Sequence, residues 1–322
     1  MSLERIKSGS FLVIGRAGMD LYADPPGTTI EEAHAFFPAL GGSAANIASA
    51  ITRLGRMAAL VSTVSDDAVG RYVTGQLKHY GVATDHIRSV KGEERTSLAV
   101  VETRAENCQS VLYRNNAADF ALSSHDVRSI DYKNAAALIV TGTSFAIEPS
   151  RSASFEALNL AHAAGCPVII DVDYRPYSWA SREEAAMICG EAAAQADILI
   201  GNDEEFAVLA GEADGLSYAR SRAEKSGSII VYKRGEKGLI AFAEGEGIEM
   251  GIYPVTALKP TGAGDAFMGG FVTGLAEGLS IRQSLQRGAA SAALVVTRVG
   301  CSPANPTQDD LQSFMATHQI NK

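Results

Sequence analysis

Lys259-Pro-Thr-Gly-Ala-Gly-Asp-Ala-Phe-Met-Gly-Gly-Phe-Val-Thr-Gly274 is the stretch whose reading decides the fold. It follows an extended segment, Ile248 to Val255, and Pro260 biases Lys259 away from helical geometry. Thr261 can cap a helix, while Gly262 and Gly264 let bare backbone approach a ligand. Phe267, Phe271 and Leu275 recur at four-residue spacing, which is one face of a helix. The stretch therefore reads as a glycine-rich turn opening a buried helix. Such a start offers unpaired N–H groups and a positive dipole end to an anion. Asp265 admits two readings here. A first-turn carboxylate suits the dipole of many helices. Beside an anion hole it is also what phosphoryl transfer needs, because one group takes a hydroxyl proton while N–H groups hold the phosphate charge.

Working outward, 322 residues can hold one large α/β domain or two small ones. A mean hydropathy of +0.04 is that of a soluble globular chain. No apolar run reaches the length of a membrane span, and Met1 to Ser10 lacks an apolar signal core, so a cytoplasmic protein is expected. A net charge of -9 argues against nucleic acid as a bulk partner, though local arginines can still hold an anionic small molecule. Cys108, Cys166, Cys189 and Cys301 have neither close pairing nor metal spacing and read as buried or incidental thiols.

Phe11 to Gly15 is a short buried strand, and Gly15-Arg-Ala-Gly18 lacks the spacing of a dinucleotide-binding fingerprint. Asp20 comes just past that strand end, where open α/β sheets gather ligand groups, although an aspartate also simply forms turns. Gly41-Gly-Ser-Ala-Ala-Asn46 leads into a helix through Ile47, Ile51 and Leu54 that stops at Gly55. The strand Ala58 to Val64 and the helix Asp66 to Tyr80 follow. Thr96 to Thr103 and Ser110 to Arg114 form a hairpin inserted into the alternating pattern. With the irregular segment from Leu21 to Leu40, it builds a small sheet outside the main body.

From Ala137 the pattern is regular. Strands at Ala137–Gly142, Pro167–Asp171, Asp197–Gly201 and Ser228–Lys233 alternate with helices near Ser150–Ala164, Ser181–Gln195 and Asp203–Ala210. This implies a mostly parallel sheet covered on both faces. Gly238 to Ala243 and Ile248 to Val255 read as a terminal antiparallel pair, followed by helices at about 281–297 and 309–316. Polar clusters stand repeatedly at strand ends: Asp171-Val-Asp-Tyr-Arg175, Asn202-Asp-Glu-Glu205 and Lys233-Arg-Gly-Glu-Lys-Gly238. In a parallel sheet these ends share one rim, where ligands bind. Asn202 with Glu205 suits a sparse Mg²⁺ site, although on this segment alone a helix cap with first-turn acids is the preferred reading.

The ordered set Asp20, Gly41-Gly42 with Asn46, Asn202 with Glu205, Gly235 with Gly238, and Gly262-Ala263-Gly264-Asp265 resembles the ribokinase-like (phosphofructokinase-B) sugar kinases along nearly the whole chain. The resemblance implies a single kinase domain over residues 1–322: an α/β three-layer sandwich with a mostly parallel central sheet and a small β-sheet lid from about 20–40 and 95–118. It also implies phosphorylation of a primary hydroxyl with ATP and Mg²⁺. Asp265 would be the base and the backbone of Gly262, Ala263 and Gly264 the anion hole. Asp20, Gly41, Gly42 and Asn46 would hold sugar hydroxyls, Asn202 and Glu205 would order hydrated Mg²⁺, and Lys233, Gly235 and Gly238 would meet ATP. Tyr113 to Asp119 and Asp171 to Trp179 look like the acid-sugar branch, which includes a kinase of inositol catabolism and the 2-dehydro-3-deoxygluconate kinases; the latter usually carry Asn where this chain has Asp173. Arg114 and Arg175 would then clamp a carboxylate, Asp173 would line the sugar site, and a homodimer through the lid is expected.

The chain leaves the pattern in two places. Gly288 to Ala293 lacks an asparagine often seen on the adenine side. The usual Asp-Thr at the start of the C-terminal motif is Lys259-Pro260, and in relatives that segment helps bind a monovalent cation. A lysine cannot coordinate a cation, but its ammonium is a compact positive charge with three donors. Lys259 either replaces the ion or is a solvated surface residue. Two other classes remain: a sugar-binding regulator without turnover, which the intact Asp265 disfavours, and a dehydrogenase, which the missing dinucleotide fingerprint disfavours.

Overall fold

A computed structural model describes residues 3–211 and 213–321. In chain order β1 (Ser10–Ile14) leads to β2 (Gly18–Asp24) and β3 (Ala35–Gly41), then α1 (Ser43–Arg53), β4 (Ala58–Ser65), α2 (Ala68–His79) and β5 (Ile87–Val90). Next come β6 (Ser97–Val101), β7 (Ser110–Tyr113), α3 (Ser124–Arg128), β8 (Ala135–Thr141), α4 (Ser150–Ala163), β9 (Val168–Asp171) and α5 (Arg182–Ala194). The chain ends with β10 (Ile198–Asn202), α6 (Asp203–Ala210), α7 (Gly215–Ser226), β11 (Ile229–Lys233), β12 (Leu239–Ala243), β13 (Glu246–Met250), α8 (Ala263–Ala276), α9 (Ile281–Val296) and α10 (Gln308–Thr317).

Nine strands form one sheet in the order β13-β12-β11-β10-β9-β8-β1-β4-β5, parallel except for the pairs β11/β12 and β12/β13. The central strands are buried on both faces, as continuous apolar runs require. Leu12, Leu138 and Val140 pack with residues of α4 to α7 on one face, and Phe11, Val13 and Ile139 with α1, α2, α8 and α9 on the other. The result is the three-layer α/β sandwich. A second sheet, β3-β2-β6-β7, stands apart as the lid.

The segment Leu21 to Leu40, expected to be irregular, holds two antiparallel strands, with Tyr22 opposite Phe37 and Asp20 opposite Ala39. Pro38 is tolerated there because β3 is an edge strand, where a missing N–H costs no ladder bond. The terminal pair also ends earlier than expected. β13 stops at Met250, after which Ile252 N–H donates to Asn321 Oδ1 at 2.7 Å instead of to a neighbouring strand.

Candidate active site

The parallel strands deliver their carboxyl ends to one rim, and the lid covers it. Between them lies a cavity of about 550 Å³, lined by residues from β2, β6 and β7 of the lid and from the loops after β1, β9, β10 and β11. Pro260 to Asp265 closes the floor.

Gly262 is the N-cap of α8, with φ +84° and no side-chain cap hydrogen bond, so the first N–H groups of the helix face the cavity uncapped. A side chain on Gly262 is excluded twice, by its left-handed φ and because a Cβ would lie 2.8 Å from Cys301 Sγ. Thr261 is therefore not the cap, contrary to the reading of the sequence. Its buried hydroxyl has no hydrogen-bond partner. Lys233 stands at the same helix start, for a Cβ on Gly264 would be 3.3 Å from its ammonium.

Asp265 lies on this floor and accepts a hydrogen bond from Asn46 Nδ2 at 2.8 Å. Burial, then the nearby Asp173 and Asp171 carboxylates, push its pKa up to about 7, against the Asn46 hydrogen bond and Arg175. Asn46 Oδ1 in turn accepts from Ser302 at 2.7 Å, so this amide orients Asp265 as well as lining the cavity. Asp20 is buried. Its Oδ2 accepts from Tyr22 O–H at 3.2 Å, while Oδ1 is buried without a hydrogen-bond partner. The Gly41-Gly42 pair makes room for this group. A Cβ on Gly41 would fall 1.9 Å from Asp20 Oδ1, and one on Gly42 (φ +98°) 2.4 Å from the Arg16 carbonyl.

The two expected clamp arginines are both already paired. Arg114 Nη2 is 2.5 Å from Asp119 Oδ2, with the guanidinium 4.1 Å over the Phe120 ring. Arg175 Nη2 is 2.8 Å from Asp173 Oδ1, and Asp173 Oδ2 accepts from Ser43 at 2.7 Å and Thr143 at 3.2 Å. Both arginines line the cavity.

Asn202 and Glu205 form a reciprocal cap: Asn202 Oδ1 accepts from Glu205 N–H at 2.9 Å and Glu205 Oε2 from Asn202 N–H at 2.6 Å. Burial raises the pKa of Glu205, with Lys233 opposing. Burial pushes Asp171 up to about 7, with Lys233 opposing and the Glu205 and Asp173 carboxylates adding to the rise. Crowded, desolvated carboxylates of this kind suit a hydrated divalent cation, which would relieve their repulsion. Among the described residues no group of three His, Cys, Asp or Glu side chains is close enough to enclose a metal. Gly235 and Ala263 line the cavity, whereas Gly238 lies outside it. Its φ of +78° serves the turn into β12, where a Cβ would strike the Met250 carbonyl at 2.0 Å.

Lys259 is 0% exposed and its ammonium donates to the Thr261 carbonyl at 2.5 Å, which rules out the solvated surface lysine. Arg16, Ser43, Tyr22, Thr143, Tyr177 and Cys301 also line the cavity and were not picked out from the sequence. Only Arg16 carried a usable signal, its place directly after an apolar strand.

An uncapped helix start carrying the buried Asp265, roofed by a lid whose strand β2 carries Asp20, is the arrangement expected of a sugar kinase of the ribokinase-like fold. The description "pfkB family carbohydrate kinase" matches residues 9–308, and the chain belongs to that family, so it is an ATP-using carbohydrate kinase. It is 35% identical to the 5-dehydro-2-deoxygluconokinase of Geobacillus kaustophilus, over 99% of this chain and 97% of that one. The fold is similar to that of a Xylella fastidiosa fructokinase with bound ATP (TM-score 0.85, 25% identity, covering 95% of this chain and 98% of that one). It is likewise similar to a Vibrio cholerae fructokinase double mutant in a fructose, ADP and potassium ion bound form (TM-score 0.84, 26% identity, 96% and 99%).

Proposed function

We propose that this chain, acting as one domain in the cytoplasm, transfers the γ-phosphoryl group of ATP to the terminal hydroxyl of 5-dehydro-2-deoxy-D-gluconate, a step of inositol catabolism. The observation that carries the chemistry is Asp265 at the uncapped start of α8, and the relatives' name carries the substrate. Asp20, Gly42, Asn46 and Asp173 position the sugar so that its terminal hydroxyl meets Asp265. Asp265 takes the hydroxyl proton as the oxygen attacks the γ-phosphorus and the bond to the departing ADP oxygen breaks, and the N–H groups of Gly262 to Gly264 and the Lys233 ammonium hold the charge on the transferred group. Mg²⁺, ordered through water by Asn202 and Glu205 beside Asp171, would neutralise the phosphates. The second substrate reading is 2-dehydro-3-deoxygluconate, which shares the carboxylate and a terminal hydroxyl.

A kinase assay across keto-deoxy-aldonates, aldonates and neutral sugars tests this. The expected result is the highest kcat/KM with 5-dehydro-2-deoxy-D-gluconate and phosphate on its terminal carbon. A higher value with a neutral hexose would overturn the substrate assignment while leaving the kinase chemistry standing.

We also propose that a second copy of this chain covers the lid. Phe36, Val111 and Tyr113 project from the lid strands as exposed large apolar side chains, which a dimer would remove from water. Sedimentation should show a dimer that Val111→Asp and Tyr113→Asp together convert to monomer; a monomeric wild-type enzyme would refute the lid interface.

A further inference from the structure

We infer that Arg16 anchors the carboxylate of the acid-sugar substrate and is a specificity-determining residue of this site; the inference rests on the substrate reading above. Four cationic side chains line the cavity, Arg16, Arg114, Arg175 and Lys233. Arg114 and Arg175 are neutralised by Asp119 and Asp173 at 2.5 and 2.8 Å. Lys233 belongs to the phosphate end, beside Gly264. Arg16 is the remaining guanidinium, and among the described residues it forms no ion pair. Its one side-chain hydrogen bond is from Nη1 to Ser97 Oγ at 3.1 Å.

The placement of Arg16 matches the geometry of the reaction. A six-carbon acid phosphorylated on its terminal hydroxyl carries its carboxylate at the opposite end of its chain from the reacting oxygen. Asp265 marks the reacting end. We assign Arg16 to the other: it lies in the loop between β1 and the lid strand β2, tied to β6 through Ser97 and close to Asp20. Its backbone is fixed as well, because its carbonyl accepts from Ala45 N–H at 3.3 Å and is packed against Gly42. Asp20 lines the same cavity with its Oδ1 unpartnered, and the guanidinium beside it has donors to spare for a carboxylate.

Charge separates the roles of the three arginines. A paired arginine still offers directed N–H groups, but its field is largely cancelled by its partner, so it attracts an acid little better than a neutral sugar. Arg16 makes no direct ion pair among the described residues; the nearby Asp20 carboxylate offsets part of its field, but less than a partner in contact would. Acid-over-neutral selectivity should therefore follow Arg16, with Arg114 and Arg175 shaping the wall.

The test measures KM for 5-dehydro-2-deoxy-D-gluconate, for fructose as a neutral six-carbon ketose, and for ATP, in wild type, Arg16→Met and Arg16→Lys. Arg16→Met should raise KM for the acid about 10- to 100-fold, the loss of one charge-assisted hydrogen bond. The KM values for fructose and ATP should stay within about threefold, and Arg16→Lys should fall between wild type and Met. Equal rises for acid and neutral sugar, or for ATP, would make Arg16 a structural pin of the lid through Ser97. An unchanged acid KM would likewise overturn the assignment. If Arg16→Met fails to fold, Arg16→Lys decides by the same acid-to-ATP comparison. A wild-type enzyme with no preference for the acid would refute the substrate reading and the anchor together, whereas a wild-type preference that survives in both variants refutes the anchor alone.

Discussion

Asp265→Asn is expected to lower kcat by roughly 10²–10⁴-fold, the usual contribution of a general base, with little change in binding of ATP or sugar. The replacement amide keeps an oxygen that can accept the 2.8 Å hydrogen bond from Asn46, so the floor of the site retains its shape. What it loses is the ability to take a proton. Near-normal turnover in a folded variant would remove Asp265 from the base role. The same residue sets the pH response. Its pKa is raised to about 7, mainly by burial and then by Asp173 and Asp171, so acidification fills it with a proton it must lack in order to act. Wild-type kcat/KM should therefore fall about tenfold per pH unit below an apparent pKa near 7. Because Asp171 is also pushed up to about 7, that limb belongs to the carboxylate group rather than to one residue. A flat profile between pH 5 and 8 would contradict this account.

Those environments explain why some of the site was legible in the sequence and some was not. Asp265 could be singled out because glycines, helix periodicity and a carboxylate occur within a few residues of one another. Asn202 with Glu205 was equally local, and the structure realises the capping box at that spacing along with the rim position. The arginines could not be sorted in this way. Whether Arg114 is a clamp or a paired wall depends on Asp119 meeting it at 2.5 Å and Phe120 beneath it, which sequence neighbours alone do not dictate. Arg16 owes its freedom to the absence of such a partner, a property only the assembled rim and lid reveal. In the fold, the buried parallel strands announced themselves as apolar runs. The four-residue edge strand β5 and the polar helix α7, whose only fully buried positions are Gly215 and Ala219, left too little apolar signal to find. The lid strands β2 and β3 were hidden for a related reason. Pro38 and the Asp24-Pro-Pro-Gly27 break interrupt their period, and β6, which pairs with β2, lies more than fifty residues on.

Lys259→Met is expected to cost about 10²-fold in kcat, the scale of effect that follows when a catalytic group is misplaced by about 1 Å. The side chain is fully buried, and its ammonium holds the Thr261 carbonyl at 2.5 Å, one residue before the Gly262 cap of the anion hole. A buried ammonium is costly to desolvate, and burial accordingly lowers the lysine pKa. It is tolerable here because a carbonyl oxygen accepts from it and because Asp20 and Asp265 lie near enough to favour its charge. An ion held by oxygen ligands could do the same work on the turn, and Lys259 supplies that charge covalently. Two consequences separate this role from general packing. Wild-type activity should be nearly the same in K⁺ as in tetramethylammonium at fixed ionic strength, because the charge is already in place. Lys259→Ala, which opens space as well as removing the charge, should lose activity that added K⁺ partly restores, while Lys259→Met, which fills the space, should resist rescue. A strong K⁺ requirement in the wild-type enzyme together with a silent Lys259→Ala would show that the ammonium does not support the anion hole.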